Sequence, residues 1–150
     1  MAQLGVAIAG FNGIANAVHA GETRTAWHKF ASSILVTAAA AVVLWSVVPL
    51  VLLATSMSAT RIWQVSSLGW GLFQFAIMIF RYKQGINSGL TPPPLYWVML
   101  PLLMAAVALQ VWNGLYWGKA WPHLVGVATS LLVAMTAFFL LVHEQETRQD

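Results

Sequence analysis

The chain is predicted to be an all-α, polytopic transmembrane helical bundle, with four spans and an N-terminal Gly/Ala-rich membrane helix in a single domain. Three observations lead there. Of 150 residues, 59% are hydrophobic and 7% charged, and the mean hydropathy is +0.74, whereas soluble domains carry roughly 25% charged residues to stay dispersed. The few charges separate apolar runs of spanning length. Tryptophans gather at the ends of those runs, where an amphipathic ring suits the headgroup level.

The first segment, about 2–20, is moderately apolar and rich in Gly and Ala. Its end, "AVHAGE", resembles a small-residue cleavage site. A basic n-region is missing, however, and Asn interrupts the apolar stretch, so a membrane helix is the preferred reading. The second span, about 30–58, lies in the uncharged stretch between Lys29 and Arg61. The third, about 62–81, is "IWQVSSLGWGLFQFAIMIF" bracketed by Arg61 and Arg81, and it just reaches the usual length of about 20 residues. After the turn-rich "RYKQGINSGLTPPP" comes the fourth, about 94–117, and "GKAW" separates it from the fifth, about 122–143. A short tail, 144–150, follows. Proline suits a helix's first turn, so "TPPP" reads as the start of the fourth span. Pro49 and Pro101 fall inside spans, where each frees a carbonyl and is expected to bend the helix, with a gating hinge as the alternative.

Counting basic residues orients the chain with the N-terminus outside and the C-terminus in the cytoplasm. Arg24, Lys29, Arg81, Lys83 and Arg148 then lie inside, and Arg61 and Lys119 outside. Trp27 and Trp97 fall at the inner interface and Trp63, Trp117 and Trp121 at the outer one. Trp45, Trp70 and Trp112 fall deeper, and their indole N–H groups are expected to face other helices. No internal repeat is evident, and five spans do not divide into two inverted halves, which argues against the commonest secondary-transporter architectures.

Across most of its length the chain resembles short integral membrane proteins encoded in many bacteria. The resemblance is carried by Arg24, Pro49, Trp63, Ser67, Asn113, Pro122, Gly126 and Phe138, within stretches such as "RIWQVSSLGW" and "LQVWNGLYWGKAWPHLVGVATSLL". It implies a bacterial inner (plasma) membrane location and a four- or five-helix fold, and it implies no activity.

Two constellations bear on function. In the first segment Gly5, Ala9, Gly13 and Ala17 recur every fourth residue, a small-xxx-small ridge that lets another helix approach closely. Beside it runs a polar stripe of Asn12, Asn16 and His19. Lipid is a poor neighbour for such a stripe, because an amide left unpaired in hydrocarbon costs roughly 4–8 kcal/mol. It can bond within one chain to Ser66, Ser67, Gln74, Gln110 or Asn113. It can line a pore between copies, where amides offer carbonyl and N–H groups to a passing ion or solute. It can also dock onto a different membrane protein. The leading expectation is an oligomeric, channel-like or permeation-related assembly with this helix near the axis. The alternative is a non-transporting accessory or structural subunit of a larger membrane complex.

The second constellation is the histidines. His19, His28 and His143 fall near the cytoplasmic interface and His123 on the outer side. A haem held by His19 and His143 is a third function reading, since they form a pair at similar depth on separate spans. Otherwise no cofactor is expected, and no metal, because the nearby acids lack ligand spacing. Zero cysteines exclude disulfides, thiolate metal sites and thiol nucleophiles.

Arg81 and Lys83 read either as snorkelling topology signals or as an anionic lipid site. No charge falls near the middle of a span, although ion-coupled pumps rely on such groups. No H-E-x-x-H, G-x-S-x-G or phosphate loop occurs, and Ser46 and Ser67 have no evident base at their depth, so an enzyme is not expected. The formal charge of +3 is dispersed, which gives nucleic acid no basic patch. The expected partners are the bilayer, further copies of the chain, and possible membrane-protein neighbours.

Overall fold

The computed structural model describes Gly10 and residues 26–87, 89 and 94–146. Four helices follow one another: α1 (Ala26–Leu53), α2 (Ala59–Asn87), α3 (Pro94–Trp112) and α4 (Ala120–Glu146), with a π-helical turn, Asn113–Trp117, closing α3. There is no strand among the described residues. All four helices are long and apolar enough to cross a membrane. The first segment, with Gly5, Ala9, Asn12, Gly13, Asn16, Ala17 and His19, lies outside the described residues.

Short connections make neighbouring helices antiparallel. α1 packs on α2 and α4, α3 packs on the same two, and α2 and α4 touch across the middle. The broadest contact, α1 on α4, is a seam of small residues. Ala31, Leu35 and Ala38 of α1 meet Ala134 and Ala137 of α4. Steps of three and four residues keep these positions on one helical face, and alanine lets the backbones come close. A second cluster joins all four helices through Val42, Trp70, Ala106, Val107 and Val127.

Polarity runs inside-out. Ser66, Ser67, Gln110, Asn113, His123 and Ser130 are fully buried, whereas Leu50, Phe80, Val98 and Phe139 are each more than 60% exposed. Water would penalise that apolar surface, and a bilayer does not.

α1 and α2 begin at Ala26 and Ala59, earlier than the expected 30 and 62, and three helix ends also differ. α1 stops at Leu53 rather than near 58. Thr55 Oγ1 donates to the Leu52 carbonyl at 2.6 Å, a local bond that competes with helix continuation. Ser58 then precedes α2, its carbonyl accepting from the Ile62 N–H at 3.1 Å. α2 continues past Arg81 to Asn87, because Arg, Lys and Gln are good helix formers: the apolar run ends before the helix does. α4 likewise runs three residues into the expected tail.

Candidate functional site

The bundle interior holds polar groups at three depths. At the end carrying the α3–α4 turn, Asn113 organises the connection. Its Nδ2 donates to Ser67 Oγ at 2.7 Å and to the Lys119 carbonyl at 2.9 Å. Its Oδ1 accepts from the Lys119 N–H at 3.0 Å. One amide thus closes a two-residue link and ties it to α2. Gly118 permits the sharp reversal: its φ of 60° lies in the left-handed region, and a Cβ there would stand 2.5 Å from Thr60 Cγ2.

One layer inward, His123 Nε2 lies 2.9 Å from the main-chain oxygen of Trp45. That carbonyl would ordinarily accept from the N–H of residue 49, which is Pro49. A carbonyl oxygen can only accept, so Nε2 carries the proton and donates. The imidazole therefore replaces the helix bond that proline removes. Gln110 Nε2 similarly donates to the Pro122 carbonyl. Gly126 makes room for it, since a Cβ there would lie 2.6 Å from Gln110 Nε2. In mid-bundle, Gln74 Nε2 donates to Ser130 Oγ at 2.5 Å. Several buried atoms bond to no described group: Ser66 Oγ, the Trp45 and Trp70 indole nitrogens, Gln110 Oε1 and His123 Nδ1.

At the opposite end Arg81 turns from α2 towards α1. Nη1 donates to Ser33 Oγ (2.5 Å) and Gln84 Oε1 (2.8 Å), and Nη2 to the Ser33 carbonyl (3.0 Å) and Thr37 Oγ1 (2.5 Å). Arg81 also lines a pocket of about 140 Å³ whose walls include Ile34, Ala38, Met78, Leu103 and Val133.

Several sequence expectations meet different surroundings. Arg81 faces α1 and the pocket, while Lys83, two residues on, is exposed. His123 is 1% exposed, inside the bundle. Pro49, four residues after Trp45, was the readable signal that a buried donor was needed there. An imidazole does therefore stand at the depth of Ser46. Its Nε2 is engaged by the Trp45 carbonyl and its Nδ1 bonds to no described group, so it forms no Ser–His pair. Trp70 is fully buried, as its depth implied, but Trp112 is 50% exposed. The Trp112 ring lies 4.6 Å from Tyr116 in an aromatic group that continues to Trp117 and Trp121. His143 lies on the α4 backbone, outside the residues whose side chains are described, and His19 outside the described residues altogether. The proposed haem pair therefore falls outside the described side chains. Among the described residues no group of three or more His, Cys, Asp or Glu could hold a metal ion.

Helices of this length around a hydrogen-bonded core, with apolar residues outward, define a polytopic α-helical membrane protein. Compared with known protein families, curated proteins and solved structures, the chain matches none.

Proposed function

We propose that the chain works as a homo-oligomer in which the first segment lines a permeation path along the symmetry axis. Asn12, Asn16 and His19 face that path, and Gly5, Ala9, Gly13 and Ala17 let neighbouring copies of the segment approach closely. In this reading the protein is not an enzyme.

One observation carries the choice. Most groups that could satisfy the polar stripe within one chain are already bonded: Ser67 to Asn113, Gln74 to Ser130 and Gln110 Nε2 to the Pro122 carbonyl. Ser66 Oγ and Gln110 Oε1, both buried, keep no described partner. With so few bonding groups left over, the stripe is better served by contacts between copies, or by water.

Because the chain has no cysteine, Ala17→Cys introduces a unique thiol. In nanodiscs the full-length variant is expected to run as a discrete oligomer and to cross-link between copies on oxidation. In liposomes the wild type is expected to pass small ions, and Asn16→Leu to reduce the flux at least about tenfold, the equivalent of about 1.4 kcal/mol at a barrier. A monomer, or an oligomer in which position 17 never cross-links, refutes the proposal. A stoichiometric unrelated chain copurifying with a flux-inactive protein would favour an accessory subunit instead.

A further inference from the structure

We infer that the pocket beside Arg81 is a site for an anionic membrane lipid, one acyl chain entering the pocket and the headgroup standing at the guanidinium. This does not rest on the permeation reading.

The pocket's volume of about 140 Å³ is close to that of an engineered apolar cavity, about 150 Å³, that holds one benzene. It admits a short run of hydrocarbon chain and not a whole amphiphile. It is partly open, so the remainder of a chain would lie in the bilayer. Ile34, Ala38, Leu103 and Val133 give it an apolar wall, and Met78 can adjust to an irregular occupant.

Arg81 gives the pocket a charge. All four of its terminal N–H groups point at neutral oxygens, those of Ser33, Thr37 and Gln84. These acceptors hold the guanidinium in place and leave its positive charge without a counter-ion among the described residues. No acidic side chain lies among the described ones. A half-buried cation next to hydrocarbon is costly unless an anion answers it.

Depth decides which anion. α2 has 29 residues, about 43 Å at 1.5 Å per residue, against a hydrocarbon thickness of about 30 Å. A centred helix overhangs by about 6–7 Å at each end. Arg81, six residues before Asn87, lies about 9 Å from the helix end. It therefore stands near the boundary between acyl chains and headgroups, where a lipid's phosphate lies just above its first methylenes. Exposed Lys29 and Lys83 at the same end draw anionic lipid to the surface in general, and the pocket beside Arg81 is what singles out one bound molecule.

The test uses the full-length protein in phosphatidylcholine vesicles with trace spin-labelled phosphatidylglycerol or phosphatidylcholine. Electron spin resonance reads the motionally restricted fraction of each. Wild type is expected to prefer phosphatidylglycerol roughly fivefold, the factor supplied by one cation at headgroup level. Arg81→Gln should bring the ratio towards one, and Arg81→Lys, which keeps the charge but not the forked bonds, should retain it. Leu100→Phe, on the α3 wall of the pocket and outside the α1–α4 seam, should also lower the restricted phosphatidylglycerol fraction while leaving Arg81 in place. Lys83→Gln should lower it less than Arg81→Gln does, because its exposed charge is screened and stands beside no pocket. Selectivity that survives Arg81→Gln, or falls equally with Lys83→Gln, overturns the proposal. So does displacement of the labelled lipid by millimolar glycerol phosphate, which would mark a site for soluble anions, and so does an unchanged fraction in Leu100→Phe.

Discussion

His123 and Trp45 stand 78 positions apart, and the imidazole N–H of one donates to the main-chain carbonyl of the other at 2.9 Å. The bond exists because Pro49 leaves that carbonyl without its helical donor. It fastens α4 to α1 at the point where α1 has lost a rung. His123→Phe should destabilise the bundle by about 1–3 kcal/mol, the cost of a buried polar group left unpaired. In a Pro49→Ala background the loss should shrink by at least about 0.5 kcal/mol, because the restored amide at position 49 can serve the Trp45 carbonyl. A double-mutant cycle in detergent unfolding checks this, and strict additivity would contradict the assignment.

Gly126 is required by Gln110. A Cβ at position 126 would lie 2.6 Å from Gln110 Nε2 and 2.9 Å from Cδ. Gly126→Ala should therefore displace the amide from the Pro122 carbonyl and cost about 1–3 kcal/mol. Adding Gln110→Ala should recover part of that loss. If the two substitutions together cost at least the sum of each alone in thermal melts, the steric account is wrong.

Two glycines with positive φ allow a graded comparison. At Gly89, with φ of 62°, an added Cβ would meet nothing within 4 Å, while at Gly118 it would meet Thr60 at 2.5 and 2.6 Å. Gly89→Ala should cost only the backbone term, about 1–2 kcal/mol. Gly118→Ala should cost distinctly more, since backbone strain and collision add. Equal melting temperatures for the two variants would show that the α3–α4 link is looser than its packing implies.

Asn113 closes that link through three bonds, two of them to Lys119. Asn113→Ala leaves a carbonyl and an N–H of Lys119 without these partners and should cost about 2 kcal/mol. Hydrogen exchange of the Lys119 amide should accelerate in the variant while amides in the middle of α1 stay protected. Unchanged exchange at Lys119 would count against the role given to Asn113.

Much of the architecture was legible along the chain. Spacing of charges between apolar runs located the four helices, because hydrocarbon admits a helix only where charge is absent over about 20 residues. It misplaced the ends of α1 and α2, where a Thr55 back-bond and a run of helix-forming polar residues, not hydropathy, decide. Trp70 could be assigned to the interior from its depth, yet the same argument failed for Trp112, which joins an exposed aromatic group. Depth is a one-dimensional property, and the direction a side chain faces depends on which helix stands beside it.

The sequence by itself determined the class: an all-helical chain, too apolar for water, with polar residues sparse enough that each must find a partner. Only the tertiary structure decided the partners. It brought His123 to the carbonyl opened by Pro49, Asn113 to Ser67, and Arg81 across to Ser33 and Thr37. The physical reason is that apolar burial constrains composition and period, quantities a sequence displays. A hydrogen bond needs two groups within about 3 Å, and helix packing alone sets that distance.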